Sequence, residues 1–307
     1  MKRKNYTLFA LCISAGLMLT GLNSCKKDDP APTPAQKNIV EIVVADPNFS
    51  LLKQAVVRAG LTTFLSQGTL TVFAPDNAAF AQAGLDSATI ASIPEDVLGD
   101  ILKYHVLNAK VEASGVPVSD TVNTLDGLNL YASSNANGVF VNGIKVKTAN
   151  VQAANGVIHV ISDVLIPPTE TIAEVVSNDD DFEILLAAVV RAGLATAVSS
   201  NGKYTVFAPT DDAFIVAGFV DVSAINLAPQ NVVTAIVKAH IVGTNVFAGD
   251  LINASSSPTL QTGKTLTFGT NPATVKITGS ANAASNVIQA NFTTTNGVIH
   301  VIDRVLL

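Results

Sequence analysis

The stretch that decides the fold is NGVIHVISDVLI (Asn155 to Ile166), because it returns 141 residues later as NGVIHVIDRVLL (Asn296 to Leu307). Each copy holds a continuous apolar run, Val157 to Ile161 and Val298 to Ile302, as expected of a strand covered on both faces. Working outward, FSLLKQAVVRAGL (Phe49 to Leu61) recurs as FEILLAAVVRAGL (Phe182 to Leu194), an offset of 133. TVFAPDNAAF (Thr71 to Phe80) recurs as TVFAPTDDAF (Thr205 to Phe214), offset 134, and LKYHVL (Leu102 to Leu107) as VKAHIV (Val237 to Val242), offset 135. A near-constant offset means one domain of about 135 residues written twice, within the usual domain size. The seam falls at Pro167-Pro168, where neither helix nor strand continues easily.

Each copy mixes element types. Phe182, Leu185, Leu186, Val189 and Val190, like Phe49, Leu52, Val56 and Val57, share one side of a helix. Asp180 or Asp181 is expected to cap its start, Gly60 and Gly193 to mark the ends, and Arg58 and Arg191 to complement the dipole there. The TVFA segment reads as a buried strand feeding a second helix, N-capped by Asp76 in one copy and Thr210 in the other. Asn142-Gly143 between apolar runs signals a tight hairpin.

The chain has 307 residues, 48% apolar and only 14% charged, which excludes disorder for most of it. A net charge of -6 leaves no basic surplus for phosphates, so nucleic acid is not an expected partner. Mean hydropathy is +0.41, which raises the membrane question. At the N-terminus, Lys2, Arg3 and Lys4 precede the uncharged stretch Leu8 to Leu22, too short for a spanning helix and suited to a signal peptide. Leu22-Asn23-Ser24-Cys25 resembles a bacterial lipobox. The resemblance implies removal of a lipoprotein signal peptide, residues 1–24, and lipidation of Cys25, whose two or more acyl chains would anchor the protein stably to a membrane. Cys12 would leave with the signal, so no free thiol would remain for disulfides, Cys-based zinc sites or a cysteine nucleophile. Lys26-Lys27-Asp28-Asp29 is similar to the export tag of Bacteroidetes surface lipoproteins, and Pro30, Pro32 and Pro34 give residues 25–36 the character of an extended spacer.

The TVFAP box, the central histidine and the terminal NGVIHVI box, twice in this order, resemble the fasciclin domain. The resemblance implies an α+β fold with domains at 37–167 and 168–307, each a wedge with a β-sandwich-like core and helices along one edge. It also implies extracellular adhesion, with a protein or polysaccharide as partner, no cofactor and no common catalytic activity. Family members often carry a Tyr-His pair associated with adhesion. Here the first copy has Tyr104-His105 and the second Ala239-His240, so Tyr104 and His105 form either an adhesion contact or part of the core.

His105, His159, His240 and His300 occupy repeat-equivalent positions, which invites a metal hypothesis. Each copy offers only two, with no cysteine or matched carboxylate, so hydrogen-bonded core histidines and no metal are expected. Asp76 aligns with Thr210, an exchange that a cap tolerates and a general acid does not. No GxSxG, HExxH or phosphate loop is present, and the chain is expected not to be an enzyme. Asp86-Ser87-Ala88 and Asp120-Thr121-Val122 resemble a Bacteroidetes O-glycosylation sequon at Ser87 and Thr121. Together these features point to an outer-membrane, surface-exposed lipoprotein for adhesion or partner binding. The alternatives are a glycan- or small-ligand-binding accessory lipoprotein of nutrient uptake and a structural envelope protein.

Overall fold

The computed structural model describes residues 35–116, 119–200, 202–251, 255–270, 273–277 and 284–307. The signal segment 1–24, Cys25 and the spacer up to Pro34 lie outside the described residues.

In the first repeat, α1 (Ile39–Ala45), α2 (Ser50–Arg58) and α3 (Thr62–Leu65) precede β1 (Leu70–Pro75). Then come α4 (Asn77–Gln82), α5 (Ser87–Ser92), α6 (Glu95–Tyr104) and β2 (Val106–Leu107). A run of strands closes it: β3 (Ser119–Asn123), β4 (Asn129–Asn135), β5 (Gly138–Val141), β6 (Ile144–Ala153) and β7 (Gly156–Ile161). The second repeat has the same order. Its helices and first strands are α7 (Ile172–Asn178), α8 (Glu183–Arg191), α9 (Ala195–Ser199), β8 (Tyr204–Pro209), α10 (Asp211–Val216), α11 (Val222–Leu227), α12 (Gln230–Ala239) and β9 (Ile241–Val242). They are followed by β10 (Ser256–Pro258), β11 (Thr265–Thr270), β12 (Ala273–Ile277), β13 (Ser285–Thr294) and β14 (Gly297–Ile302). The fold is α+β, as expected.

Local sequence explains most helix ends. Asn38 and Glu41 form a capping box on α1, as do Thr171 and Glu174 on α7. At the end of α2, Gly60 has φ +68, and the amides of Gly60 and Leu61 donate to the Val57 and Val56 carbonyls at 3.1 Å each. Gly193 repeats this closure after α8 with φ +70. The expected cap at Asp180 or Asp181 is corrected. Those residues form a 3-10 turn capped by Asp179, and α8 starts at Glu183 without a cap from its own chain neighbours. Its open Ile184 amide is instead taken by Asp211 Oδ1 at 2.9 Å, as Asn77 Oδ1 takes the Leu51 amide at 3.1 Å.

Each repeat has one seven-stranded sheet, in the orders β2-β1-β7-β6-β5-β4-β3 and β10-β11-β12-β13-β14-β8-β9. The duplicated apolar strands β7 and β14 lie at the centre and pair in parallel with β1 and β8. Gly156 has φ +150, and a Cβ there would run into the Leu70 carbonyl oxygen, so the Asn-Gly step allows this close pairing. In β6 the register shifts twice, around Thr148, and Asn150 takes φ +61; β13 shifts likewise, with Asn291 at φ +62. These bulges let one long strand serve both layers of the sandwich. Val72, Ala74 and Ile158 pack under the helices, whereas Phe73, Leu130, Val141 and Ile161 fill the sandwich interior. Both faces of β1 and β7 are therefore covered, which accounts for their unbroken apolar runs.

Candidate functional site

The four histidines are the most chemically loaded residues of the repeat, and each is committed to the main chain. His105 Nδ1 pairs with the Ile101 carbonyl at 2.7 Å, and its Nε2 accepts from the Leu165 amide at 3.0 Å. His240 does the same with Ile236 at 2.8 Å and Leu306 at 2.9 Å. His159 Nε2 meets the Val111 carbonyl at 2.8 Å and His300 Nε2 the Val246 carbonyl at 2.7 Å. Their Nδ1 atoms accept from the bulge amides of Asn150 and Asn291, both at 3.3 Å. One nitrogen donates and the other accepts, so each ring is held as the neutral tautomer. Burial pushes His105, His240 and His300 down to about 4 and lowers His159 as well. Among the described residues, no group of three or more His, Cys, Asp or Glu side chains is placed to hold a metal ion.

Tyr104 and His105 do not reach the surface: their exposures are 0% and 2%. The reading of this pair as an adhesion contact is therefore corrected to a core role, because neither side chain can meet a partner in this fold. The Tyr104 hydroxyl donates to the Asn129 carbonyl at 3.0 Å and accepts from Asn142 Nδ2 at 2.8 Å. Burial pushes the phenol up to about 12. Asn142, at φ +46 in the expected Asn-Gly hairpin turn, also accepts from the Tyr131 amide at 2.8 Å.

Asp76 and Thr210 cap α4 and α10, accepting from the Ala79 and Ala213 amides at 2.9 and 3.3 Å. At Asp76 partial burial opposes the charge, but the Lys147 ammonium at 2.8 Å and the helix amides outweigh it and hold the carboxyl below its ordinary range. Arg58 does not close its own helix. Its guanidinium donates to the Ile93 carbonyl, at 2.8 Å from Nη2, as Arg191 donates to Ala228 at 3.1 Å. Sequence reasoning missed Asn155 and Asn296 as side chains. Asn155 accepts from the Ile39 amide at 2.9 Å and donates to Leu65 O at 3.0 Å, and Asn296 joins Ile172 and Val198 at 2.9 and 2.7 Å. The signal was the Asn before Gly in both copies of the deciding stretch.

The two repeats meet along the β4 side of the first. Tyr131 packs on Phe247 with ring centroids 4.9 Å apart, and Val298 completes the apolar contact. Asn135 Nδ2 donates to the Gly249 carbonyl at 2.8 Å, and a Cβ on Gly249 would collide with the Phe140 ring. Beside this contact opens a cleft of about 500 Å³, lined by groups that include Thr121, Asn129, Asn245 and Lys203. Lys203 Nζ reaches Thr121 Oγ1 at 3.3 Å across the seam, and no carboxylate pairs with it among the described residues. Asn245 Oδ1 is buried without a hydrogen-bond partner there. This cleft is the candidate site: a concave surface, half polar and half apolar, carrying one cation with amide and hydroxyl groups beside Leu128, Tyr131 and Phe247.

The fasciclin domain model matches residues 47–167 and again 180–307. The chain belongs to the fasciclin family. Human periostin is 28% identical over 249 residues, 78% of this chain, and the chain spans only 28% of periostin's length. The cell surface glycolipoprotein MPB83 of Mycobacterium bovis is 33% identical over 144 residues, covering 46% of this chain and 62% of that protein. The solved FAS1 domain pair from the insect cell adhesion molecule fasciclin I aligns over 87% of this chain and 95% of its own, with 19% identity and a TM-score of 0.42. Both fasciclin domains thus commit their histidines, and the first also its Tyr104, to hydrogen bonds inside the fold. Of the two sequon residues, Ser87 starts α5 in an exposed position with its hydroxyl on Gln54 Oε1 at 2.9 Å, whereas Thr121 sits half-buried at the junction. Among the described residues no helix is long and apolar enough to cross a membrane.

Proposed function

We propose that the protein is a lipid-anchored surface protein that mediates adhesion by holding an extracellular protein or polysaccharide in the cleft between its two fasciclin domains. The observation that carries this is the interdomain cleft itself, where, among the described residues, no carboxylate pairs with Lys203 and Asn245 Oδ1 has no hydrogen-bond partner. A relative named as a cell surface glycolipoprotein supports the setting, and the lipobox-like Leu22 to Cys25 supports the anchor. The work is non-covalent: the imidazoles and Asp76 are engaged in the fold and offer no acid–base pair. Cells carrying the protein should be retained on polysaccharide- or protein-coated surfaces more than a deletion strain, and Lys203→Glu should reduce retention. Equal retention of the deletion strain would reject adhesion, and an unaffected Lys203→Glu variant would reject the cleft. Cys25→Ser should move the protein from the membrane pellet to the soluble fraction, and protease treatment of whole cells should digest it.

A second reading is favoured by the amide and hydroxyl lining: a glycan-capturing accessory lipoprotein. Saturable binding of a single soluble oligosaccharide on a glycan array, without cell adhesion, would select it.

A further inference from the structure

Beneath α7, α8 and α9 of the second domain lies an apolar cavity of about 290 Å³. The equivalent place in the first domain, beneath α1, α2 and α3, holds about 30 Å³. The walls correspond position for position, since Ile39, Leu52 and Val56 become Ile172, Leu185 and Val189. The space comes from truncation of particular side chains. Val40, Leu65 and Leu102 are replaced by the smaller Ala173, Val198 and Val237. At the mouth Val44 and Thr62 give way to Ser177 and Ala195, while Val106 to Ile241 returns one methyl group.

The lining has almost nothing to offer a polar occupant. Both nitrogens of His240 are used, as described above. Ser177 and Ser199 are exposed at the rim and donate to their own helices, to Ala173 O at 2.6 Å and Ala195 O at 2.8 Å. Water needs two or more polar partners to stay in such a space, and hydrocarbon needs none. Val190, 61% exposed, extends the apolar wall to the opening. We infer that the second fasciclin domain binds one hydrocarbon tail of a free monoacyl amphiphile, with its polar head left at the rim in water. The inference does not depend on the adhesion reading, because cleft and cavity share no lining residue.

The test uses the full chain with Cys25→Ser, so that its own lipid does not compete, and dodecanoic acid as the probe in titration calorimetry. Saturable binding of one molecule per chain is expected. Importing the first domain's residues, Ala173→Val with Val198→Leu, should weaken binding at least tenfold while leaving the melting temperature equal or higher. Should that variant fold poorly, the reciprocal change Val40→Ala with Leu65→Val should open the first domain and raise the stoichiometry from one to two. The inference is overturned by absence of saturable binding in the parent chain, or by binding insensitive to both exchanges. It is overturned equally by binding seen with phospholipid vesicles and not with the free acid.

Discussion

The two fasciclin domains solve the same sandwich core with the large side chain on opposite partners. In the first, the end of α6 supplies Tyr104 and β4 supplies Ala132, and both lie in one cluster with Phe73, Leu130 and Ile161. In the second, α12 supplies Ala239 and β11 supplies Phe268, in a cluster with Phe207, Leu266 and Ile302. Phe268 stacks on Phe207 at 5.7 Å, so the large ring comes from the strand in the second domain and from the helix end in the first. The tyrosine before the central histidine is thus one of two ways to supply a large ring to the sandwich core. What it adds is a hydroxyl, which ties α6 to the Asn142 hairpin close to the junction. A sequence motif of this kind can look like a contact residue while acting from the interior.

The largest expected contrast between the domains is in acid. Unfolded, these imidazoles titrate near 6.5; folded, His105, His240 and His300 titrate near 4. Between those values the unfolded chain holds more protons, so stability is complete above about 6.5 and drains as pH falls toward 4. Each such histidine is worth on the order of 3 kcal/mol, so the second domain should lose about 6 kcal/mol. The first should lose about 3 kcal/mol through His105, with a further contribution of the same sign from His159. Calorimetry from pH 7 to 4 with domain-resolved amide exchange would show it, and equal losses would break the contrast.

Next comes the exchanged volume. Phe268→Ala should cost ~3–5 kcal/mol, and adding Ala239→Phe should recover a large part of it, measured by urea unfolding. Phenylalanine is the appropriate filler because the Tyr104 hydroxyl depends on Asn129 and Asn142 of its own domain. Simple additivity of the two changes would show that the positions do not share one space. Smaller is Tyr104→Phe, expected to cost roughly 1–3 kcal/mol by orphaning Asn142 Nδ2, with faster amide exchange at Tyr131 and Asn142. The smallest effect is at the caps, where Asp76→Ala and Thr210→Ala should each cost about 1 kcal/mol. Only the Asp76 cost should shrink as salt is added, because Lys147 pairs with it near the surface. Equal salt dependence would remove that distinction.

What was legible in the sequence was local or periodic. The duplicated boxes, the glycine helix ends, the Asn142-Gly143 turn and the caps at Asp76 and Thr210 each depend on residues within a few positions of one another. The cap of α8 escaped because a 3-10 turn intervenes and the helix borrows Asp211 from 27 residues away. Arg58 and Arg191 do stand in the last turns of their helices, but their acceptors escaped for the same reason, since they lie 35 and 37 residues on. The candidate cleft was not legible at all. Tyr131 and Phe247 carry no shared pattern, and Asn135 meets Gly249 across 114 residues. The apolar neighbours of the histidines point to the core, where all four are buried, but which carbonyls and amides they join is a property of the assembled sheet.

The parallel pairing of β1 with β7, and of β8 with β14, has a consequence for synthesis. In each domain the first strand to leave the ribosome can find its central neighbour only after the last strand has emerged, 86 residues later in the first domain (Leu70 to Gly156) and 93 in the second (Tyr204 to Gly297). Until then Val72, Phe73 and their counterparts Val206 and Phe207 have one flank open, and closing so long a loop is slow. The nascent chain therefore spends its growth with an unsealed centre. A chaperone that shields the TVFA segments until β7 and β14 have emerged would act at the stage when they are accessible.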